Sequence, residues 1–166
     1  MAYEINDTVL YGIDGVCKIT DIVRRNFKGK MINYYVLRPV FNERAVIYVP
    51  MDNEESIARM RYALTSRQIK LIFKKTPNRE CKWIENENDR KAYFKEILYG
   101  GDSKELVKLV KTFYLHRKKQ QSLGKKMHLS DEKFFKDAEK LLYEECAYAF
   151  KITPAEVFPY LQQMLK

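Results

Sequence analysis

DTVLYG (7–12), VCKITDIVRR (16–25), MINYYVLRP (31–39) and RAVIYVP (44–50) are four short runs rich in β-branched and aromatic residues, and their reading decides the fold. Each gap between them carries turn chemistry. Gly12 and Gly15 flank Ile-Asp, NFKGK (26–30) separates the second run from the third, and FNE (41–43) follows Pro39. No helix fits before Pro50. In the second run Val16, Lys18, Thr20 and Ile22 oppose Cys17, Ile19, Asp21 and Val23, a mixed pattern expected of a strand partly buried on both sides.

Strands this short and this closely spaced predict a small SH3-like or Tudor-like β-barrel over residues 1–52. So small a module buries a limited core, which favours packing against a neighbouring domain. After Met51 the grammar becomes helical. DNEE (52–55), TSRQ (65–68), DSKE (102–105) and TPAE (153–156) each set an N-cap oxygen three residues before Glu or Gln, so orphan N–H groups are satisfied reciprocally. SDE (130–132) opens a further helix with acidic side chains at the positive end of its dipole. Pro77, Gly100-Gly101 and the Ser122-Leu-Gly124 stretch are stops.

Leu106, Leu109, Val110 and Phe113 form one helical stripe, and Phe134, Phe135, Ala138, Leu141, Leu142 and Cys146 another. Both stripes are most simply core. Residues 53–166 therefore read as a helical bundle of about five helices, and the whole chain as a two-domain α+β protein.

The 166 residues carry a formal charge of +9, and its distribution along the chain is informative. Residues 1–60 hold 8 Lys+Arg and 8 Asp+Glu; residues 61–129 hold 18 and 7; residues 130–166 hold 5 and 7. The basic field is thus segmental. Clustered cations behind a neutral segment suit a polyanion partner for the second part only, because counterion release rewards clustering; a solvated helical surface explains the same numbers. No apolar run reaches the ~18 residues of a spanning helix, and MAYEINDTVLYG (1–12) lacks a basic region followed by an apolar one. A cytoplasmic protein without a membrane partner is expected.

Catalytic chemistry finds few candidates. Cys17, Cys81 and Cys146 match neither a disulfide framework nor a zinc pattern, so buried free thiols are the plainer reading. His116 and His128 lie in the basic, exposed-looking part of the chain, outside any metal or triad spacing. No phosphate-binding Gly-rich loop, HExxH or GxSxG occurs. The expectation is a non-enzymatic protein with no cofactor, no metal and no small-molecule substrate.

The lone tryptophan has a more pointed setting. KKTPNRECKWI (74–84) places Trp83 among cations, with Arg90, Lys91 and Lys95 on the following helix. An apolar plane with flanking cations can press on unstacked bases. It can equally plug a bundle, since Trp side chains are usually buried.

In the order and spacing of these segments the chain resembles the CarD family of transcription regulators, of the CdnL type. DTVLYGIDGVCKITDI (7–22), RNFKGK (25–30), YYVLRP (34–39) and VIYVP (46–50) resemble its polymerase-interacting, Tudor-like module, which transcription-repair coupling factor shares. Trp83, the helix to Gly100-Gly101-Asp102, LVKLVKTFYLHRK (106–118) and LSDEKFFKDAEKLLYEECA (129–147) resemble its helical domain. The resemblance implies a factor that docks on the β-subunit lobe of RNA polymerase, contacts promoter DNA at the upstream edge of the transcription bubble and modulates open-complex lifetime. The polymerase contacts it implies are Arg25, Lys28, Arg44 and the strand Ala45, Val46, Ile47, Tyr48 and Val49, which would pair by strand addition. Tyr48 stands where the family has a basic contact, so Arg44 or a stacking role for Tyr48 would substitute. The implied DNA contacts are Trp83 as a wedge at the melting fork, with Arg79, Lys82, Arg90, Lys91, Lys95, Lys126 and Lys133 on phosphates. The stretch between Trp83 and the Gly-Gly-Asp turn is longer than the family pattern and carries Glu85, Glu87 and Asp89 where bases are usual. A protein adaptor of the polymerase without direct DNA contact is the alternative.

Overall fold

The tightest local signal is the turn at Lys28-Gly29. Both residues have positive φ, 50° and 82°, and the flanking pair Phe27↔Lys30 closes a two-residue hairpin loop. Positive φ at both central positions is the geometry that matches the twist of the strands it joins, and Gly29 adopts it at no steric cost. The Asn26 side chain adds a bond, its Oδ1 accepting from Gly29 N at 2.9 Å.

The computed structural model describes residues 3–75 and 82–164. Pro77 as a helix stop, the thiol of Cys81 and the expected phosphate contact of Arg79 lie outside the described residues. Clustering of contacts divides the chain into Met1–Ala63 and Leu64–Lys166. The first unit runs past Asp52, where the sequence reading ended it, because a short helix and a last strand complete its sheet.

Five strands form the first unit: β1 (Thr8–Tyr11), β2 (Val16–Phe27), β3 (Lys30–Pro39), β4 (Ile47–Pro50) and β5 (Met60–Tyr62), with α1 (Glu54–Ala58) between the last two. They pair antiparallel in the order β4-β3-β2-β1-β5. The expected α+β class stands, and among the described residues the sheet is open, without the closure expected of a barrel. Its two outer strands are only four and three residues long, and α1 lies against both of them. Ile57 of α1 packs on the core of the sheet.

The mixed pattern of β2 has a local cause. The register with β3 shifts between Ile19 and Asp21, leaving Thr20 as the extra residue, and its hydroxyl donates to Val36 O at 3.3 Å. Val9, Cys17, Ile19, Tyr35, Leu37, Val49 and Met60 make the core of this unit.

Five helices make the second unit: α2 (Ser66–Lys75), α3 (Glu87–Gly100), α4 (Ser103–Ser122), α5 (Leu129–Phe150) and α6 (Pro154–Met164). The box at Thr65 forms as expected, with Thr65 N donating to Gln68 Oε1 and Gln68 N to Thr65 Oγ1. Asp102 accepts from Lys104 N and Glu105 N, and Gly101 ends α3 in the left-handed conformation. One start differs from the sequence reading: Asn53, not Asp52, caps α1 through Ser56 N. α5 begins at Leu129 and carries Asp131 and Glu132 in its first turn, as expected.

Both predicted stripes face the core of the bundle, where Phe94, Leu109, Phe113, Phe135, Ala138, Cys146 and Val157 are almost fully covered. Cys17 and Cys146 are free and buried, and burial pushes the Cys146 thiol up to about 12. Glu145 of α5 is buried too. Its carboxylate accepts from Leu64 N at 3.1 Å and Ser103 Oγ at 3.2 Å, tying the chain before α2 and the first turn of α4 to α5. Among the described residues, no helix is long and apolar enough to cross a membrane.

Candidate functional site

On the sheet unit, cross-strand pairing decides which side chains meet. The partners Arg25↔Ile32, Val23↔Tyr34 and Val36↔Tyr48 put Arg25, Tyr34 and Tyr48 on one face. There the Arg25 guanidinium lies 4.5 Å from the Tyr48 ring centroid, and its Nη2 donates to Tyr48 Oη at 3.3 Å. Tyr34 meets Tyr48 edge-on at 6.5 Å. With Asn26 and Phe27 these residues line a shallow cleft. Phe27 is 54% exposed and Tyr48 43%, large values for aromatic side chains. The result is a cation over a tyrosine ring among further aromatic side chains, an arrangement suited to a carboxylate flanked by apolar groups.

β4, which holds Tyr48, is an outer strand of the sheet, so among the described residues one of its sides lacks a neighbouring strand. Ala45 and Val46 precede it as irregular chain, and regular pairing starts only at Ile47. Val49 turns its side chain into the core and can offer a partner only its main chain. Arg44 is exposed in the preceding turn, and Lys28 sits at the tip of the β2–β3 hairpin with its ammonium 5.4 Å from the Phe27 ring.

On the helical unit, Trp83 is half-buried and makes four ring contacts. The His116 imidazole lies flat against it, 3.6 Å between centroids and 12° between planes. Phe94 and Phe113 meet it tilted and edge-on at 5.8 and 6.1 Å. The Arg90 guanidinium is 4.9 Å from its centroid.

Arg90 corrects one expectation. Placed among the phosphate contacts by the sequence reading, it has a side chain only 5% exposed, and it forms a two-pronged pair with Asp131 at 3.0 Å for each prong. Its Nη1 donates to Ile84 O and Glu85 O. Those donors are engaged, so Arg90 fastens the chain just after Trp83 to α3 and α5. Lys91 pairs with Glu87 at 3.2 Å, one turn away. Lys82, Lys95, Lys126 and Lys133 are exposed.

His116 departs from its sequence reading as an exposed residue. It continues the α4 stripe, three residues beyond Phe113 and seven beyond Leu109, and that spacing is the signal that would have found it. Burial holds its pKa below the ordinary imidazole range; Asp131 opposes that shift and Arg90 and Lys119 add to it. Lys119 is thus within electrostatic reach of the Trp83–His116 stack, which brings the basic last turns of α4 to the same part of the bundle.

The class is set by these features: an α+β protein with a small antiparallel-sheet unit ahead of a helical one, bearing an unpaired strand edge beside a cationic, aromatic cleft. Residues 3–61 match the CarD-like/TRCF RID domain, nearly the whole sheet unit, so the chain carries a domain of this RNA polymerase-interacting family. That domain ties it to RNA polymerase and to the regulation of transcription. No curated protein matches the chain.

Proposed function

We propose that this protein is a non-enzymatic regulator of transcription initiation that docks on the β-subunit lobe of RNA polymerase and stabilises the promoter open complex at the upstream fork of the bubble. The observation that carries the reading is the coincidence of the matched domain with an open sheet edge and the Arg25–Tyr48 cleft beside it. β4 adds a strand to the lobe, main-chain bonds supply affinity, and Arg25 supplies specificity. The helical unit then needs only modest affinity for DNA, because the tether raises its local concentration. Trp83 disfavours reannealing by contacting an unstacked step, an effect of about a few kcal/mol. Lys82, Lys95, Lys119, Lys126 and Lys133 hold phosphates without reading sequence.

One observation favours the alternative, a polymerase adaptor without DNA contact: Trp83 is half-buried among His116, Phe94 and Phe113, as a plug would be. Two substitutions separate the readings. Arg25→Glu weakens binding to the isolated β lobe, whereas Trp83→Ala spares that binding and speeds open-complex decay. Unchanged decay with Trp83→Ala on several promoters leaves the adaptor as the surviving account, and a purified protein that ignores the host polymerase removes both.

A further inference from the structure

We infer that His116 is a positioning residue for Trp83, fixing the plane in which the indole meets the fork. The inference rests on the proposed role of Trp83. It starts from three features of the bundle.

The first is the stack itself. A separation of 3.6 Å with 12° between planes is parallel stacking, and it covers part of one face of the indole. Trp83 therefore acts through the part of the ring left open, which makes its orientation matter more than for a freely rotating side chain.

The second is the rigidity of what holds the imidazole. His116 is on a 20-residue helix, one turn beyond the buried Phe113, and its Nε2 lies 3.3 Å from Gln120 Nε2, a further turn along. Trp83, by contrast, stands outside any helix, on irregular chain that precedes α3. A residue on irregular chain gains its orientation from what it packs against, and His116 is the flattest and nearest of its ring partners.

The third is chemical. Phe94 and Phe113 touch the indole tilted or edge-on, and Arg90 holds the backbone behind it through Ile84 O and Glu85 O. These contacts limit where the indole sits. Neither phenylalanine lies parallel to it, and the Arg90 guanidinium over the ring is the more distant facing group at 4.9 Å, so among the aromatic neighbours it is His116 that sets the tilt of the ring plane.

The test uses the full chain with the host RNA polymerase and a promoter whose open complexes decay measurably. Trp83 is the only tryptophan of the chain, so in the free protein its emission and anisotropy report its own surroundings directly. His116→Ala is expected to red-shift that emission, lower its anisotropy and shorten open-complex lifetime by about two- to tenfold, the size of one lost aromatic pair. His116→Phe, which keeps a flat ring at the position, is expected to restore all three. Circular dichroism melting of both variants separates local effects from loss of fold, and if His116→Ala unfolds, the comparison of His116→Phe with His116→Leu carries the test. The inference is overturned if His116→Ala leaves emission and lifetime at wild-type values, or shortens lifetime with emission unmoved, because then His116 acts on DNA and not through the indole. If Trp83→Ala itself leaves lifetime unchanged, the fork role fails first and takes this inference with it; if Trp83→Ala shortens lifetime and His116→Ala does not, only the positioning role fails.

Discussion

Arg90 and Asp131 carry a cost that sets what their substitution does. Both side chains are almost wholly removed from water, so each charge is tolerable only because the other is there. Removing one leaves a buried charge unpaired, a loss of about 3–5 kcal/mol. Asp131→Ala is expected to lower the unfolding free energy read from urea titration by that amount, whereas Arg90→Met combined with Asp131→Leu is expected to cost less than Asp131→Ala alone. An equal or larger loss in the double variant would mean that the bonds from Arg90 to Ile84 O and Glu85 O outweigh the pair itself. Sequence patterning hid this residue: a run of cations around a tryptophan reads as one surface, and nothing in the spacing says which cation turns inward toward an aspartate 41 positions later. Tyr48 was more legible. Its place in VIYVP (46–50) marked it as a departure from a basic residue, and the cross-strand register then put it under Arg25.

Among the elements, the β2–β3 hairpin is the one whose stability can be argued from its turn. Lys28 occupies a left-handed conformation that costs a β-carbon-bearing residue roughly 1–2 kcal/mol, and asparagine tolerates it better. Lys28→Asn is therefore expected to stabilise the sheet unit by up to ~1 kcal/mol, and Gly29→Ala at φ 82° to destabilise it by about 1–2 kcal/mol, both read as shifts in thermal midpoint. A midpoint that moves the other way for Lys28→Asn would show that its contact with Phe27 contributes more than the turn geometry. This turn, the reciprocal cap at Thr65 and the glycine end of α3 could be read directly from residue types, because each is a local rule satisfied within four residues. Closure of the sheet could not. Alternation says which face a side chain takes; it does not say whether two short outer strands pair or leave a helical turn between them, and here α1 separates β4 from β5. The cap of α1 slipped by one residue because Asp52 and Asn53 are both capping types, and Lys30 draws Asp52 into an ion pair at 3.7 Å instead.

At the scale of the molecule, charge and fold divide in nearly the same place. The sheet unit is close to neutral, while residues 61–129 hold 18 basic and 7 acidic side chains. Salt should therefore act unequally on the two proposed contacts. Docking on the lobe relies on main-chain pairing and one stacked arginine, so its affinity is expected to fall only weakly with ionic strength. Stabilisation of the open complex relies on phosphates, and each phosphate contact made steepens the dependence of log K on log salt by roughly 0.7–0.9. Replacing Lys82, Lys119 and Lys126 by glutamine is expected to flatten that slope by about one unit per lysine that touches a phosphate, with lobe binding unchanged. The measurement is open-complex lifetime across a salt series, made with wild type and the triple variant on the same promoter. Parallel slopes for the two proteins would assign the basic segment to a solvated surface and leave the adaptor reading in place; a flattened slope with intact lobe binding would separate the neutral tether from the cationic arm by experiment, as their sequences already do.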